Sequence, residues 1–234
     1  MRAALVRDHL QPWSMPRGPR SIHPGVCYHV INRGNHRRRL FHRSADYAAF
    51  VSLIQKARDL VPIELFAVCL MPNHFHVVLR AAEPDSIGRW MHWLLTTHAQ
   101  RYNRQLGIVG RVWQGRYKAF PIESDGHLLT VLRYVERNAV RAHLARRPRD
   151  WHWCSASWRR GPSSRKALLT ESPVPLPHDW EALVERPLDT VDVDRLRTCI
   201  NRQQPYGSDA WIDGSVECTG FRRARPRGRP PCRK

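Results

Sequence analysis

Ten residues, Leu70 to Leu79, read Leu-Met-Pro-Asn-His-Phe-His-Val-Val-Leu, and they constrain the fold more than any other stretch of the chain. Apolar residues on either side of Pro72-Asn73 describe two strands joined by a tight turn, because proline and asparagine favour turn geometry while their neighbours suit a pleated sheet. Side chains alternate faces along a strand. His74 and His76 therefore share one face, while Phe75, Val77 and Leu79 point the other way into a core. Two readings of the pair are open: satisfied, half-buried polar residues, or two imidazoles offered to one metal ion.

The next informative segment lies one helix further on. From Ser124 the sequence Ser-Asp-Gly-His-Leu-Leu-Thr-Val-Leu-Arg-Tyr-Val-Glu-Arg-Asn-Ala-Val-Arg-Ala has the period of an amphipathic helix, with Ser124 expected as N-cap and Asp125 favourable in the first turn. Leu128, Leu129, Leu132, Val135 and Ala139 form its core stripe. Tyr134 and Asn138, four residues apart, share a second stripe beside it. A structural tyrosine would sit within the apolar stripe. One offset from it, with an amide oxygen a turn away, points to a site.

A phenol is a poor nucleophile at neutral pH, and attack on a phosphodiester requires the phosphate charge to be neutralised and its oxygens oriented. A divalent ion held by His74, His76 and the side-chain oxygen of Asn138 would do both, leaving positions for the scissile phosphate and producing a covalent tyrosyl–DNA intermediate. The sequence singles out no general base.

Three ordered motifs carry a resemblance. Met71-Pro72-Asn73-His74-Phe75-His76, Trp113-Gln114-Gly115-Arg116-Tyr117-Lys118 and Arg133-Tyr134-Val135-Glu136-Arg137-Asn138-Ala139-Val140-Arg141-Ala142 resemble successive motifs of the bacterial REP-associated tyrosine transposases. The likeness runs from about Met15 to the C-terminus, including Pro24-Gly25, Arg33-Gly34-Asn35 and Trp151-His152-Trp153-Cys154. It implies that His74 and His76 are metal ligands, that Tyr134 becomes joined to a DNA 5′-phosphate and that Asn138 is the third ligand. It also implies a substrate, an imperfect palindromic single-stranded hairpin with a short flanking sequence, and Mg²⁺ or Mn²⁺ as cofactor. Ala139 departs from the family, which usually carries proline there. Alanine should let the helix continue.

Composition points to the same partner. Thirty-nine Lys and Arg against twenty Asp and Glu give a formal charge of +19, and a polyanion is the expected ligand. The excess is patterned: Arg33, Arg37, Arg38, Arg39 and Arg43 cluster early, Arg133, Arg137 and Arg141 decorate the tyrosine helix, and Arg146, Arg147 and Arg149 follow it. The stretch holding Glu171, Asp179, Glu181, Glu185, Asp189, Asp192 and Asp194 is acidic and is expected to avoid phosphate. Expected DNA contacts are Arg33, Arg116, Lys118, Arg137, Arg141 and, among nine tryptophans, Trp113 as a stacking surface beside Arg116 and Lys118. Trp90 and Trp93, spaced with Ile87, Met91, Leu94 and Leu95, should place at least one ring in a core. Near the C-terminus, Pro226-Arg227-Gly228-Arg229-Pro230 resembles an AT-hook, whose arginines, here Arg227 and Arg229, enter narrow minor grooves.

The expected element order is strand 26–32, helix 44–60, strands 63–71 and 74–80, helix 86–106, strand 112–122 and helix 124–145. That order fits an α+β fold, a ferredoxin-like antiparallel sheet with helices on one side, followed by a largely irregular basic extension. The expected organisation is a disordered or untranslated 1–14, a catalytic domain 15–160, an irregular or helical appendage 161–220 and a basic tail 221–234. No apolar run approaches a membrane span and no signal peptide is visible, so a cytoplasmic, nucleoid-associated protein, monomer or homodimer, is expected. Cys27, Cys69, Cys154, Cys199, Cys218 and Cys232 show no CxxC spacing, which argues against a zinc knuckle or disulfide framework. Two other classes were weighed. A DNA-binding protein of the same descent that no longer cuts is disfavoured by the intact His74, His76, Tyr134 and Asn138. A His-x-His zinc hydrolase of barrel type needs alternating strand–helix repeats that this chain lacks.

Overall fold

In a computed structural model of the chain, residues 22–161 and 163–219 are described. The 1–14 extension, the 221–234 tail and its Arg227 and Arg229 lie outside them. Strands β1 (Cys27–Arg33), β2 (Glu64–Met71), β3 (His74–Arg80) and β4 (Lys118–Ile122) alternate with helices α1 (Ser44–Leu60) and α2 (Ser86–Leu106). The four strands form one antiparallel sheet in the order β2-β3-β1-β4, the ferredoxin-like arrangement. After β4 come α3 (Gly126–Glu136), α4 (Asn138–Arg141), α5 (Ser155–Trp158), α6 (Ser163–Lys166), α7 (Trp180–Glu185), α8 (Thr190–Arg202) and α9 (Asp209–Thr219).

Helices cover both faces of the sheet rather than one. Alternation explains why: Tyr28, Val30, Leu65, Val68, Leu70, Phe75, Val77 and Leu79 face α1 and α2, joining Phe50, Ile54, Trp90 and Leu94 in one core. Cys27, Ile31, Phe66, Cys69, Met71 and Val78 face the other way and pack with Leu128, Val131, Leu132 and Val135 of α3. Both faces of these strands bury apolar side chains, so the strands lack the polar alternation of a one-sided sheet. Trp90 is fully buried and Trp93 packs at the edge of the first core.

The turn expected at Pro72-Asn73 closes β2 onto β3, with Met71 opposite His74. Its two carbonyls are claimed from outside: Leu40 N and Phe41 N donate to Pro72 O, and Gly34 N donates to Asn73 O. Gly34 has no room for a side chain, since an added Cβ would lie 2.5 Å from Arg38 O. The last strand is shorter than expected. Residues 112–117 form a loop held at the end of β1 by an isolated Gly34–Trp113 bridge, by Gln114 N donating to Arg33 O and by Asn32 Nδ2 donating to Gly115 O.

Segments after α3 close the sheet edges. Tyr206 bridges Ile122 in parallel, beyond β4, while Thr170 N donates to Leu65 O beside β2. Covering both edges removes templates for pairing with another chain. Trp180 and Val184, four apart, are buried by α7 within a stretch whose composition suggested irregular chain, and Leu196, Cys199 and Ile200 of α8 join the α3-side core. Cys27, Cys69, Cys154 and Cys199 are free and buried. No helix among the described residues is long and apolar enough to cross a membrane.

Candidate active site

Helix α3 begins one residue later than the spacing suggests. Asp125, not Ser124, is the N-cap, its Oδ1 accepting from His127 N at 2.7 Å, while Ser124 Oγ donates to Cys27 Sγ. A carboxylate is the stronger acceptor for the helix's unpaired N–H groups, and its charge suits that end of the helix. At the other end α3 stops at Glu136, and after a break at Arg137 the one-turn α4 carries Asn138 and Ala139. It ends where His143 adopts φ 56° and Leu144 N reaches back to Ala139 O, so the helix expected over 124–145 is not continuous.

Tyr134 and Asn138 stand at this end, above the sheet face that carries His74 and His76. Together with Ile31, Arg33, Met71 and Arg141 they line a solvent-open cleft of about 700 Å³. The rings of His74 and His76 are 5.0 Å apart, and that of His76 is 6.1 Å from Tyr134 in an edge-on arrangement. Tyr134 is buried, contrary to the picture of a tyrosine standing clear of the core. The Arg141 guanidinium covers its ring at 4.5 Å.

Each polar side chain in the cleft is held from behind by a specific bond. Asn73 Oδ1 takes the Nδ1 of His74 at 2.6 Å, leaving Nε2. Nδ1 of His76 meets Nε2 of His29 at 2.9 Å, again leaving Nε2. Asn138 donates its amide nitrogen to Tyr134 O at 3.0 Å, so Oδ1 is its remaining polar atom. Burial, reinforced by Arg33, pushes His74 down to about 4, and burial with His74, His29, Arg141 and Arg33 nearby holds His76 well below the usual imidazole range. Both rings are therefore neutral at pH 7 and carry the lone pairs a cation requires. Arg33 Nε and Arg141 Nη1 are buried and meet no acceptor among the described residues. Unpaired guanidinium donors of this kind are matched by the oxygens of a phosphate.

Other expected contacts divide. Lys118 lies one strand from Arg33, close enough for their charges to repel, and is half-buried beside the cleft. Arg116 is exposed and lines a different cavity with His92 and Tyr117, near α2. Trp113 is no stacking surface: it is buried against Phe50, Phe75 and His98, and its indole N–H donates to Leu95 O. Arg137 is likewise committed to structure, donating to the carbonyls of Val184 and Glu185 at the end of α7. Glu136 next to it is fully buried and satisfied by Ser155 Oγ at 2.7 Å, Arg159 Nε at 3.0 Å and Trp180 Nε1 at 3.0 Å. These bonds lock the tyrosine end of α3 against the appendage.

Sequence reasoning passed over His29, Asn73 and three cleft-lining residues of α8, Arg197, Ile200 and Asn201. The signal for His29 was a lone polar residue in an apolar strand. The α8 residues follow the acidic stretch, whose charge obscured them. A second group, Glu123, Asp125 and His127, holds ligand atoms within 4.8 Å of one another but sits at the far end of α3. Its carboxylates are occupied by the cap and by Ser208 N.

Residues 23–138, from the start of β1 through the cleft asparagine, match the family described as "Transposase IS200 like". A Haemophilus influenzae protein named as a REP-associated tyrosine transposase is 25% identical over 116 residues, covering 45% of this chain and 66% of that protein, just under two thirds of its length. Among solved structures, a REP-associated tyrosine transposase bound to a REP hairpin superposes with a TM-score of 0.53 at 17% identity, over 75% of this chain and 93% of that one, a likeness of fold. Motif order, sheet topology and cleft agree with that match: residues 23–138, just under half of the chain, carry an IS200-like transposase domain, and these two similar proteins are REP-associated tyrosine transposases.

Proposed function

We propose that the protein is a site-specific single-strand DNA endonuclease and strand transferase that acts on palindromic hairpin repeats through a covalent 5′-phosphotyrosine. The observation that carries this reading is the meeting in one cleft of Tyr134 with two neutral imidazoles, an amide oxygen and arginines whose buried donors have no acceptor among the described residues. Arg33 and Arg141 hold the scissile phosphate beside Tyr134. The Tyr134 oxygen adds to phosphorus as the phenol proton passes to solvent, the bond to the 3′-oxygen breaks, and that oxygen takes up a proton from solvent as it leaves as a hydroxyl. Rejoining is the reverse, with a different 3′-hydroxyl displacing the tyrosine. His74 and His76 through Nε2, and Asn138 through Oδ1, would hold a divalent ion such as Mg²⁺ or Mn²⁺, which when bound neutralises phosphate charge.

The hairpin substrate is taken from the solved relative, described as bound to a REP hairpin, and from the net positive charge of this chain. The tail beyond Gly220, with Arg227 and Arg229, serves as an additional anchor. Its removal should weaken hairpin affinity and flatten the salt dependence of binding while leaving cleavage intact at saturating DNA. The principal test is incubation of the protein with labelled single-stranded hairpins in Mg²⁺ or in excess chelator. A covalent adduct in Mg²⁺, lost in chelator while binding persists, is expected. Undiminished cleavage in chelator would refute metal dependence.

A further inference from the structure

Behind the cleft, His29 of β1 and His76 of β3 form a pair of imidazoles that share a single proton between facing nitrogens. Nε2 of His29 lies 2.9 Å from Nδ1 of His76, and the two rings are inclined by only 9°. The ring planes are nearly parallel, and facing nitrogens at 2.9 Å are at hydrogen-bond distance, closer than a packing contact alone would bring them. The sheet register enforces it: Ile31 opposes His76 and His29 opposes Val78, so the two rings are diagonal neighbours on one face. His29 is fully buried, and Phe120 and Tyr134 pack edge-on against it. The charged neighbours of His76 are the arginines Arg141 and Arg33.

We propose that His29 is a positioning residue that selects the tautomer of His76, holding its proton on Nδ1 so that Nε2 faces the cleft as a bare ligand. Between two neutral rings only two arrangements exist. When His76 donates, its Nε2 is free to bind a cation, and His29 carries its own proton on Nδ1. When His29 donates, His76 must be protonated on Nε2 and cannot be a ligand. Nδ1 of His29 is buried and has no partner among the described residues in either case. That atom is unpaired as a donor in the ligand-competent arrangement and as an acceptor in the other, so it does not discriminate between them. What His29 contributes is the acceptor that the Nδ1–H of a ligating His76 requires, as supporting partners behind metal ligands do. His74 needs no such partner, because Asn73 Oδ1 can only accept and so fixes its tautomer outright.

The inference rests on His76 being a ligand, and the experiment separates the two claims. Mn²⁺ binding to the full chain is measured by electron paramagnetic resonance for the wild type, His29→Leu, His29→Gln and His76→Ala, with thermal melting as a check on folding. His29→Leu should weaken Mn²⁺ roughly 10–100-fold, as loss of a supporting partner does. His29→Gln, whose amide oxygen can accept from His76 Nδ1–H, should recover most of the loss. Unchanged affinity in His29→Leu, with His76→Ala weakened, would overturn the tautomer role alone. Unchanged affinity in His76→Ala would overturn the ligand assignment beneath it. Should His29→Leu fail to fold, ¹⁵N–¹H correlation spectra of the wild type at saturating Mg²⁺ decide instead. A proton on Nδ1 of His76 is expected, and a proton on its Nε2 would refute the proposal.

Discussion

Phe75 and His76 are neighbours on β3, both buried, and they face opposite layers. On the Phe75 side, α1 and α2 complete a core rich in aromatic rings, where shape and apolar area do the stabilising. On the His76 side, the end of α3 and the start of α4 bring Glu136, Arg137 and Asn138 into burial alongside His29. Glu136 is bonded by three donors and Arg137 is tied to two carbonyls of α7, whereas the cleft residues are bonded behind and left open in front. The contrast teaches that one sheet divides its labour by face. The first side supplies folding free energy, and the second spends part of it on holding polar groups ready for an anionic substrate.

The division is most sharply broken or upheld by two alanine variants one residue apart. Phe75→Ala should cost about 3–5 kcal/mol in denaturant unfolding, through lost burial and the cavity left behind. His76→Ala should cost clearly less and yet abolish hairpin cleavage. Equal destabilisation by the two would mean the faces are not distinct.

A second pair tests the α3 side internally. Arg141→Ala removes a donor poised over Tyr134 and should slow cleavage about 10–100-fold, the worth of one or two charged hydrogen bonds, with the melting temperature little changed. Arg137→Ala should do the opposite, lowering stability by about 1–3 kcal/mol while folded molecules still cut. Reversed outcomes would return Arg137 to the DNA-contacting set.

An effect graded with pH is expected at the polar exception of the first side. His98 is buried among Phe41, Phe50 and Trp113, with Arg101 and Asp46 as its charged neighbours, and burial lowers it from 6.5 to about 4. A folded-state value below the unfolded one means that the unfolded chain binds the proton first as pH falls. Its contribution is complete above 6.5 and is lost between 6.5 and about 4, at up to ~1.4 kcal/mol per pH unit. Unfolding free energies over that range should rise with pH, with a shallower slope in His98→Leu. An identical slope in the variant would exclude the residue.

Much of this was legible in the sequence where the information is local. Strand alternation placed His74 and His76 on one face, helical spacing joined Tyr134 to Asn138, and the bounds of α1, α2 and β3 followed from periodicity and flanking residues. Tertiary partners decided the rest. Whether Trp113 meets bases or Leu95 O, and whether Arg137 meets phosphate or the carbonyls of α7, depends on chain more than fifteen residues away. His29 became a partner of His76 only through the pairing of β1 with β3, and Arg197 and Asn201 reached the cleft only because α8 folds back onto α3. The second helical layer was missed for the same reason, since a strand buried on both faces does not announce which helix covers which.

The central claim, that the α3 side is a cleft built around a nucleophilic tyrosine, is tested most directly by Tyr134→Phe. The substitution removes one oxygen and keeps the ring that packs against His29 and His76. Denaturing electrophoresis and mass spectrometry after incubation with a labelled hairpin in Mg²⁺ should show a DNA adduct on Tyr134 of the wild type and none in the variant, with folding and hairpin binding retained. An adduct of comparable yield in Tyr134→Phe would contradict the account and move the search for the nucleophile to Tyr117.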